Sequence, residues 1–481
     1  MATKKLQVLF AAFEAAPFVK TGGLGDVAGS LPAALKNRSC EVRVILPKLH
    51  QIPESYRKKM ETLCVFEVPL GWRKQYCGIQ TLKLGKIQYY FVDNEFYFAR
   101  DNVYGYGDDC ERVAYFSKAV LECLQHLDDF FPDVIHANDW HTALIPVFLR
   151  EQYQSLAQYR NIRTVFTIHN LKFQGICHRF FLGDLLGLDK CKNAADQLRW
   201  GHDSINFLQS ALYYSDCITT VSPTYAREIC TTAYGEGLEG VLNQRRDRLS
   251  GILNGIDQTK YTPAAAQYPF SVGDFSGKRA CKAALQEELG LPVQPDTPLM
   301  VLISRLTDQK GLDLLAGCIG SLLSQDVQLA VLGTGEPHYQ HLLESCASLR
   351  PDRMAVRFAF DEPLSLRMYA GADLLLMPSL FEPCGLNQMI AMAYGTLPVV
   401  RETGGLRDSV TPYNQYTGEG CGFSFRNVSA QELEQCIQTA LTVYRENKPA
   451  WETLMTQAMS HDFGWSASAA NYLALYRKLL K

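Results

Sequence analysis

The sequence contains 481 residues, of which 47% are hydrophobic and 20% are charged. This balance is typical of a folded globular protein and excludes a chain that is disordered throughout. The net charge is −3. Such a chain has no overall field to hold nucleic acid or an anionic membrane, so we expect neither partner, and any anionic ligand must be bound by local charges. The length predicts about three domains, or two larger ones.

The cysteine pattern predicts reduced thiols. The 15 cysteines are scattered without a Cys-x-x-Cys pair, which argues against a zinc ribbon, a thioredoxin-type site or a disulfide framework. An apolar run over Leu6–Phe13 is interrupted by Glu14 and followed by a glycine-rich loop, so we predict a buried strand there rather than a signal peptide. No other apolar run is long enough to span a membrane. Reduced thiols predict a cytosol-like compartment. The absence of a transit segment favours a cytoplasmic protein of a bacterium, and a processed plastid protein would show the same features.

Short apolar runs rich in β-branched residues alternate with helical stretches along the first half of the chain. Helices are predicted at Asp26–Asn37 and Glu111–Leu127. Strands are predicted at Gln7–Phe13, Glu41–Pro47, Ile87–Val92, Asp133–Ala137, Arg163–Ile168 and Cys217–Val221. Buried strands separated by helices indicate parallel sheets covered on both faces.

The alternation reaches another strand near Leu249–Asp257, stops in a polar stretch that contains proline, and then restarts. The later strands are predicted at Leu299–Ser304, Val327–Leu332, Ala355–Phe360, Asp373–Met377 and Leu397–Val400. We therefore predict an α/β fold with two doubly wound Rossmann-like domains, residues 1–255 and 256–460, which face each other across a deep cleft at the carboxyl ends of their sheets. The helical pattern over residues 461–481 is expected to complete the first domain.

One short motif occurs once in each predicted domain. Thr21–Asp26 reads TGGLGD and Thr403–Asp408 reads TGGLRD, and each lies between a predicted strand and a helix. A glycine pair lets the backbone approach a ligand closely and directs N–H groups towards it. Lys20 adds a charge suited to phosphate. A tight turn would explain one such loop, whereas two matching loops favour a ligand site.

A dinucleotide-binding fold is the main alternative for the first loop, because Gly23, Gly25 and Gly29 have a similar spacing. That fold places an acidic residue at the end of the second strand to hold the ribose. Here the second strand ends in Pro47-Lys48. NAD is therefore disfavoured, and NADP is supported only by Lys48.

Two segments of the second domain carry charges suited to a sugar nucleotide. Arg305 and Lys310 flank a turn that leads into a helix, where two cations suit a pyrophosphate, although solvated surface charges are the simpler interpretation. Glu382 lies between Phe381 and Pro383 after a predicted strand. A carboxylate there could bind sugar hydroxyls or stabilise a cationic sugar carbon, or it could simply cap a helix.

The segments His136–His141 and Thr167–Asn170 end two strands of the first domain, and we expect their polar tips to line the cleft. His136 and His141 lack the i, i+4 spacing of a helical zinc site. No two aspartates stand two apart, so there is no Asp-x-Asp element for a divalent cation. We therefore expect no metal and no cofactor.

Aromatic residues are concentrated in one part of the first domain. Some of them could stack on sugar rings in an acceptor groove, and core packing is the preferred interpretation for most. They are Trp72, Tyr76, Tyr89, Tyr90, Phe96, Tyr97, Phe98, Tyr104 and Tyr106.

Several motifs together resemble one family, the bacterial and plant-type glycogen/starch synthases, which are retaining glycosyltransferases with the GT-B architecture. The motifs run from residue 7 to the C-terminal helix. They are Lys20–Asp26, His136–Trp140, Thr167–Asn170, Val221–Tyr225, Asn254–Asp257, Arg305–Gly311, Glu382–Leu386 and Thr403–Leu406. The resemblance implies transfer of glucose from ADP-glucose to the non-reducing 4-hydroxyl of an α-1,4-glucan (glycogen, starch or a maltooligosaccharide), with retention and release of ADP.

The resemblance also implies roles for individual residues. Those implied for catalysis are Glu382 on the glucose hydroxyls, Arg305 and Lys310 on the diphosphate, the His169 carbonyl near the reacting carbon, and Asp139 on sugar or acceptor. Those implied for donor binding are Lys20, Gly23, Asp26, Asn254, Phe360, Cys384, Gly385, Leu386, Thr403, Gly404 and Gly405. Phe360 is expected to end a strand and to place its ring against the adenine.

One departure concerns Ile390, where other retaining GT-B enzymes carry a second Glu eight residues after the first. The synthases also tend to lack that residue. The departure therefore argues against membership of other branches of the retaining GT-B enzymes and leaves the resemblance to the synthases unchanged. A GT-B transferase with another donor or a small acceptor, an NADP-dependent oxidoreductase and a non-catalytic glucan-binding protein remain as alternatives.

Overall fold

The structure is a computed structural model that describes residues 5–38 and 40–481. The chain forms two compact units, one that runs to Gly255 and includes Trp465–Lys481, and one from Ile256 to Gly464. The N-terminal unit is called the first unit below, and the other the second unit. Each contains a largely parallel sheet flanked by helices.

The first unit is built on a sheet of nine strands in its described residues, in the order β12-β11-β7-β6-β1-β2-β5-β4-β3. The strands from β12 to β5 are parallel, and β4 and β3 are antiparallel to their neighbours. A small antiparallel sheet pairs β8, β10 and β9. The strands are β1 (Leu6–Ala11), β2 (Cys40–Pro47), β3 (Glu61–Leu70), β4 (Arg73–Leu84), β5 (Ile87–Asp93), β6 (Val134–Asn138), β7 (Arg163–Ile168), β8 (Ile176–His178), β9 (Arg199–Trp200), β10 (Ser204–Asn206), β11 (Cys217–Thr220) and β12 (Leu249–Gly251).

Helices cover the parallel strands of the first unit, so those strands are apolar on both faces. The helices are α1 (Gly23–Lys36), α2 (Glu54–Arg57), α3 (Glu95–Phe98), α4 (Asp109–Cys123), α5 (Leu144–Phe148), α6 (Phe181–Asp184), α7 (Lys192–Leu198), α8 (Phe207–Tyr214), α9 (Pro223–Glu228) and α10 (Glu239–Gln244). Of the clustered aromatic residues, Tyr89, Tyr90, Tyr97 and Phe98 are buried in this core, whereas Trp72 and Phe96 are exposed.

The second unit contains a six-stranded sheet in its described residues, parallel throughout, in the order β15-β14-β13-β16-β17-β18. Its strands are β13 (Leu299–Ile303), β14 (Gln328–Leu332), β15 (Met354–Arg357), β16 (Leu374–Met377), β17 (Leu397–Arg401) and β18 (Phe423–Phe425). Its helices are α11 (Ser276–Leu289), α12 (Leu312–Leu323), α13 (Pro337–Leu349), α14 (Glu362–Gly371), α15 (Asn387–Ala393), α16 (Gly404–Ser409), α17 (Ala430–Glu446) and α18 (Lys448–Ser460).

The C-terminal helix α19 (Trp465–Leu479) packs on the first unit. Arg38 Nη2 donates a hydrogen bond to Ser466 Oγ at 2.7 Å, and the Tyr476 hydroxyl lies 2.6 Å from His136 Nδ1 inside the core. The helix begins at Trp465, four residues after the start of the predicted helical pattern. Its buried tyrosines thus complete the core of the domain that begins the chain.

The structure differs from the prediction of reduced thiols at one pair of cysteines. Cys110 in α4 and Cys177 in β8 form a disulfide, and the other 13 cysteines in the described residues are free. The two partners are 67 residues apart in sequence, and the fold brings their Cα atoms to 6.4 Å. No local spacing reveals such a pair, so the prediction was wrong for these two residues.

Candidate active site

The glycine loop of the first unit, Thr21–Asp26, follows β1 and leads into α1. Leu24 and Gly25 are buried, while Thr21 and the glycine pair are exposed. The Lys20 ammonium lies 2.9 Å from Asp26 Oδ1. The aliphatic stem of Lys20 packs on Gly25, where an added Cβ would lie only 3.0 Å from Lys20 Cγ. The loop therefore holds Lys20 beside the start of a helix, an arrangement suited to an anionic ligand.

Sequence reasoning missed the residue that organises this loop. Glu14 is only 2% exposed, and both of its oxygens accept hydrogen bonds. Oε2 accepts from Thr21 N at 2.7 Å and from Thr21 Oγ1 at 2.6 Å, and Oε1 accepts from Gly25 N at 3.1 Å. Burial raises the pKa of Glu14, and the hydrogen bonds act in the opposite direction. The available signal was a charged residue within an apolar run directly before a glycine loop.

Asp139 and His169 meet at the carboxyl ends of β6 and β7. Asp139 adopts φ +57°, a conformation that is uncommon for a residue other than glycine. Its Oδ1 accepts a hydrogen bond from His169 N at 2.7 Å. Burial raises the pKa of Asp139 to about 7, against the backbone hydrogen bonds, and also lowers the pKa of His169 to about 3. The His169 ring is thus neutral and lies 3.0 Å from Asn138 Oδ1.

The other two histidines of these segments do not line a cleft, contrary to the expectation. His136 is fully buried, with its ring nitrogens 2.6 Å from the Tyr476 hydroxyl and 2.6 Å from Thr167 Oγ1. His141 is buried and stacks on the rings of Phe13 and Tyr104. Burial lowers the pKa of both histidines to about 3. Both are neutral core residues.

Asn254 lies beyond the end of β12 and is buried. Within the described residues its Oδ1 atom has no hydrogen-bond partner. A buried acceptor without a donor is costly. This geometry is compatible with the ligand-contacting role that the family resemblance implied.

The raised pKa of Asp139 leads to a testable pH dependence. An ordinary aspartate has a pKa near 3.9, and Asp139 has one of about 7. Between pH 4 and 7 the folded protein therefore retains a proton on Asp139 that the unfolded chain has lost. The contribution of Asp139 to the free energy of unfolding is fully present below pH 4 and is lost as the pH rises to 7. At about 1.4 kcal/mol per pKa unit, a shift of about three units makes the loss on the order of 4 kcal/mol.

We expect Asp139→Asn to remove this part of the pH dependence, since the amide oxygen can still accept the His169 N–H and carries no charge. Denaturant unfolding of both proteins between pH 4.5 and 7.5 measures it. The variant should gain stability relative to the original protein as the pH rises. If the free energies of unfolding of the two proteins changed with pH in parallel across that range, the raised pKa of Asp139 would be contradicted.

In the second unit, Lys310 and Glu382 form an ion pair at the carboxyl edge of the sheet. Lys310 Nζ lies 2.6 Å from Glu382 Oε2, which also accepts a hydrogen bond from Ser379 Oγ at 3.1 Å. Lys310 ends a short 3-10 turn, which is followed by Gly311 with a φ of +69°. An added Cβ at Gly311 would lie only 1.9 Å from Pro378 O, so no side chain fits there. Arg305 is exposed, two residues beyond β13. This edge of the sheet therefore carries the Lys310–Glu382 ion pair, and Arg305 follows the same strand as Lys310.

Two residues that sequence reasoning missed fix the loop that carries Glu382. Gln309 O accepts a hydrogen bond from Leu380 N at 2.8 Å, and Gln309 Nε2 donates to Phe381 O at 3.2 Å. Arg401 is buried at the end of β17, and its guanidinium donates to Ser379 O at 2.8 Å and to Leu380 O. The only sequence signal for Arg401 was a cation at the end of an apolar strand.

The second glycine motif packs directly against this loop. Gly405 N donates to Glu382 O at 3.1 Å and to Pro383 O at 3.2 Å. Gly404 has φ +44°, and Thr403 is fully buried before α16. The Gly405 amide therefore binds the protein's own backbone, which differs from the expectation that it binds ligand. These hydrogen bonds join the second glycine motif to the backbone of Glu382.

The segment after Glu382 is also tightly held. Cys384 is buried, and Gly385 has φ +70°. Gln388 Nε2 donates to Cys384 O at 3.1 Å and to Gly385 O at 3.0 Å. Leu386 directly precedes α15. These contacts give the segment a fixed backbone and leave the Cys384 side chain buried.

Phe360 does not end a strand, contrary to the prediction. Strand β15 ends at Arg357, and Phe360 lies in the loop before α14 with 81% of its surface exposed. The prediction extended the strand because five of the six residues from Ala355 to Phe360 are apolar, with Arg357 as the only charged residue among them. An exposed ring in this loop can still stack on a planar ligand.

No group of three or more His, Cys, Asp or Glu side chains in the described residues is arranged to hold a metal ion. Among the helices of residues 5–38 and 40–481, none is long and apolar enough to cross a membrane.

Residues 7–244 match the starch synthase catalytic domain family, and residues 288–450 match the glycosyl transferases group 1 family. The chain is therefore a glycosyltransferase with the two-domain GT-B architecture. It is 49% identical to a glycogen synthase of Desulfitobacterium hafniense, over 98% of this chain and 99% of that protein. It is 50% identical to a glycogen synthase of Exiguobacterium sibiricum, over 98% and 99% of the two chains. The chain belongs to the glycogen synthase family.

Solved structures agree with this assignment. The catalytic domain of starch synthase IV from Arabidopsis thaliana, bound to ADP and acarbose, superposes with a TM-score of 0.91 at 34% identity over 99% of both chains. A sucrose-phosphate synthase from Thermosynechococcus elongatus superposes with a TM-score of 0.62 at 18% identity over 99% of both chains, which indicates a shared fold.

Proposed function

We propose that this chain transfers glucose from ADP-glucose to the non-reducing 4-hydroxyl of an α-1,4-glucan, with retention of configuration and without a metal ion. The observation that carries the proposal is the ion pair of Lys310 with Glu382, with Arg305 on the same edge of the second sheet. Two cations suit a diphosphate, and a buried carboxylate suits sugar hydroxyls. The ADP bound to the Arabidopsis relative supports an adenine nucleotide.

In the proposed reaction the bond between glucose C1 and the β-phosphate oxygen breaks, and a bond between C1 and the acceptor oxygen forms on the same face. The proton of the acceptor hydroxyl passes to the departing ADP. Lys310 and Arg305 stabilise the charge that develops on the diphosphate. Glu382 holds the glucose hydroxyls, and we propose that the backbone carbonyl of His169 lies near the reacting carbon. No covalent nucleophile is required in this scheme.

The remaining predicted donor residues keep their proposed roles where the geometry allows. Lys20, Gly23 and Asp26 contact the donor from the glycine loop. Asn254 uses its Oδ1, which has no hydrogen-bond partner among residues 5–38 and 40–481, and the exposed ring of Phe360 stacks on the adenine. Metal independence is supported by the sequence, which has no Asp-x-Asp element. Cationic side chains supply the positive charge instead.

The proposal is tested by supplying ADP-glucose and UDP-glucose separately, with and without glycogen, in the presence and absence of EDTA. We expect ADP-glucose to extend the glucan at the same rate with and without EDTA. Equal or faster extension with UDP-glucose would contradict the proposal that ADP-glucose is the donor. Release of free glucose without extension would contradict the transfer, and loss of activity with EDTA would contradict metal independence.

A further inference from the structure

Glu14 is a buried carboxylate that the proposed chemistry does not use. It lies three residues beyond β1, and the loop it contacts begins seven residues later in the sequence. We infer that Glu14 is a positioning residue, whose two oxygens set the conformation of the glycine loop and thereby the placement of Lys20. The inference rests on the proposed function, in which Lys20 contacts the donor.

Helix α1 lacks a side-chain cap of its own. Its N-cap residue is Gly22, which makes no side-chain hydrogen bond. Caps are normally side chains of the N-cap residue that accept from the second or third helical N–H. Here Glu14 Oε1 accepts from Gly25 N, the third helical residue, so a carboxylate from another part of the chain supplies the cap. A negative charge is also favoured at this end of a helix dipole.

The same carboxylate fixes the residue next to Lys20. Its Oε2 accepts both donors of Thr21, the backbone N–H and the hydroxyl. Glu14 thus holds the loop at Thr21 and at Gly25. Lys20 directly precedes the first of these anchors and contacts the second, with its stem against Gly25 and its ammonium on Asp26. Moving either anchor moves Lys20.

A carboxylate is required at this position because both of its oxygens accept. Glutamine has the same shape but only one acceptor oxygen. Its NH2 group would face the backbone N–H of either Thr21 or Gly25, and two donors cannot form a hydrogen bond with each other. The surrounding backbone has other supports, since Ala16 N donates to Gly25 O at 2.9 Å. Glu14→Gln should therefore displace the loop and leave the fold in place.

Asp216 provides a matched control far from the glycine loop. Its Oδ2 also accepts both donors of one threonine, Thr164 N at 2.7 Å and Thr164 Oγ1 at 3.0 Å. Asp216 lies at the amino ends of β7 and β11, the edge of the sheet opposite to the glycine loop. Asp216 Oδ2 also forms an ion pair with Arg150 Nη2 at 2.7 Å, so Asp216→Asn weakens an ion pair in addition to the threonine contacts. It is therefore the more severe test of general destabilisation, and it does not touch the loop.

The experiment measures steady-state kinetics of the full chain with ADP-glucose and glycogen, together with amide hydrogen exchange. For Glu14→Gln we expect kcat/KM for ADP-glucose to fall about 10- to 100-fold, with the KM for glycogen unchanged. Exchange should accelerate in Thr21–Asp26 only. A double variant with Thr21→Val should lose no more than Glu14→Gln alone, because both changes act on one contact.

Two results would overturn the inference. One is a Glu14→Gln enzyme with unchanged kcat/KM and unchanged exchange in the loop. The other is an equal loss of activity in Glu14→Gln and Asp216→Asn, which would indicate a general loss of stability. If the original protein does not use ADP-glucose, the proposed function fails, while hydrogen exchange in the glycine loop still decides whether Glu14 positions it.

Discussion

Replacing Glu382 with alanine is expected to lower turnover about 1,000-fold, because the variant loses the carboxylate that binds the glucose hydroxyls beside the diphosphate cations. Lys310→Ala should lower turnover by a similar factor, since the ammonium that neutralises the leaving group is removed. Initial rates of glucan extension with saturating ADP-glucose measure both effects. Unchanged turnover in either variant would remove that residue from the proposed mechanism.

The two variants should differ in stability. The side chains of Lys310 and Glu382 are 17% and 9% exposed. Lys310→Ala leaves a more deeply buried carboxylate without its cation, which should cost roughly 3 kcal/mol. Glu382→Ala leaves an ammonium that reaches water more easily, and roughly 1 to 2 kcal/mol is expected. Thermal or denaturant unfolding measures the order, and a larger loss for Glu382→Ala would contradict this account of the pair.

An exposed ion pair supplies the control for these charge deletions. Lys58 Nζ lies 2.9 Å from Glu54 Oε1, and both side chains are mostly exposed. Lys58→Ala should change stability by less than about 0.5 kcal/mol and leave turnover unchanged. A comparable loss of turnover in this variant would mean that removal of any lysine lowers activity under the assay conditions.

Sequence periodicity located the parallel strands because they are buried on both faces and therefore read as continuous apolar runs. Strand β7 has the predicted bounds Arg163–Ile168, and β1 and β13 lie within two residues of their predicted ends. Strands β3 and β4 were not predicted. They form an antiparallel pair at the edge of the sheet, where polar residues occupy the exposed face and obscure the apolar pattern.

The charged residues of the second unit were predicted one by one, and their pairing was not. Lys310 and Glu382 are 72 residues apart in sequence, and only the parallel strand order brings the ends of β13 and β16 together. Glu14 and Arg401 were missed for a related reason. Each acts on backbone groups of a loop, and backbone donors and acceptors have no signature in the sequence.

Gly405→Ala is expected to lower both stability and activity, although the substitution adds only one methyl group and changes neither Lys310 nor Glu382. An added Cβ would lie 2.0 Å from Cys384 O and 2.5 Å from the carbonyl carbon and Cα of Cys384. All three atoms belong to the backbone, so no flexible side chain can move aside. The loop has to shift, and the hydrogen bonds from Gly405 N to Glu382 O and Pro383 O weaken with it.

We expect this shift to cost roughly 2 to 4 kcal/mol of folding free energy and to lower turnover about 100-fold, because a displacement near 1 Å of a positioned group is enough for a loss of that size. Gly320→Ala is the matched control. Gly320 lies in α12, and an added Cβ there meets nothing within 4 Å, so the helix should gain up to about 1 kcal/mol. If Gly405→Ala retained full turnover, Glu382 would not depend on the second glycine motif for its position, and the motif would be a turn without a role in the site.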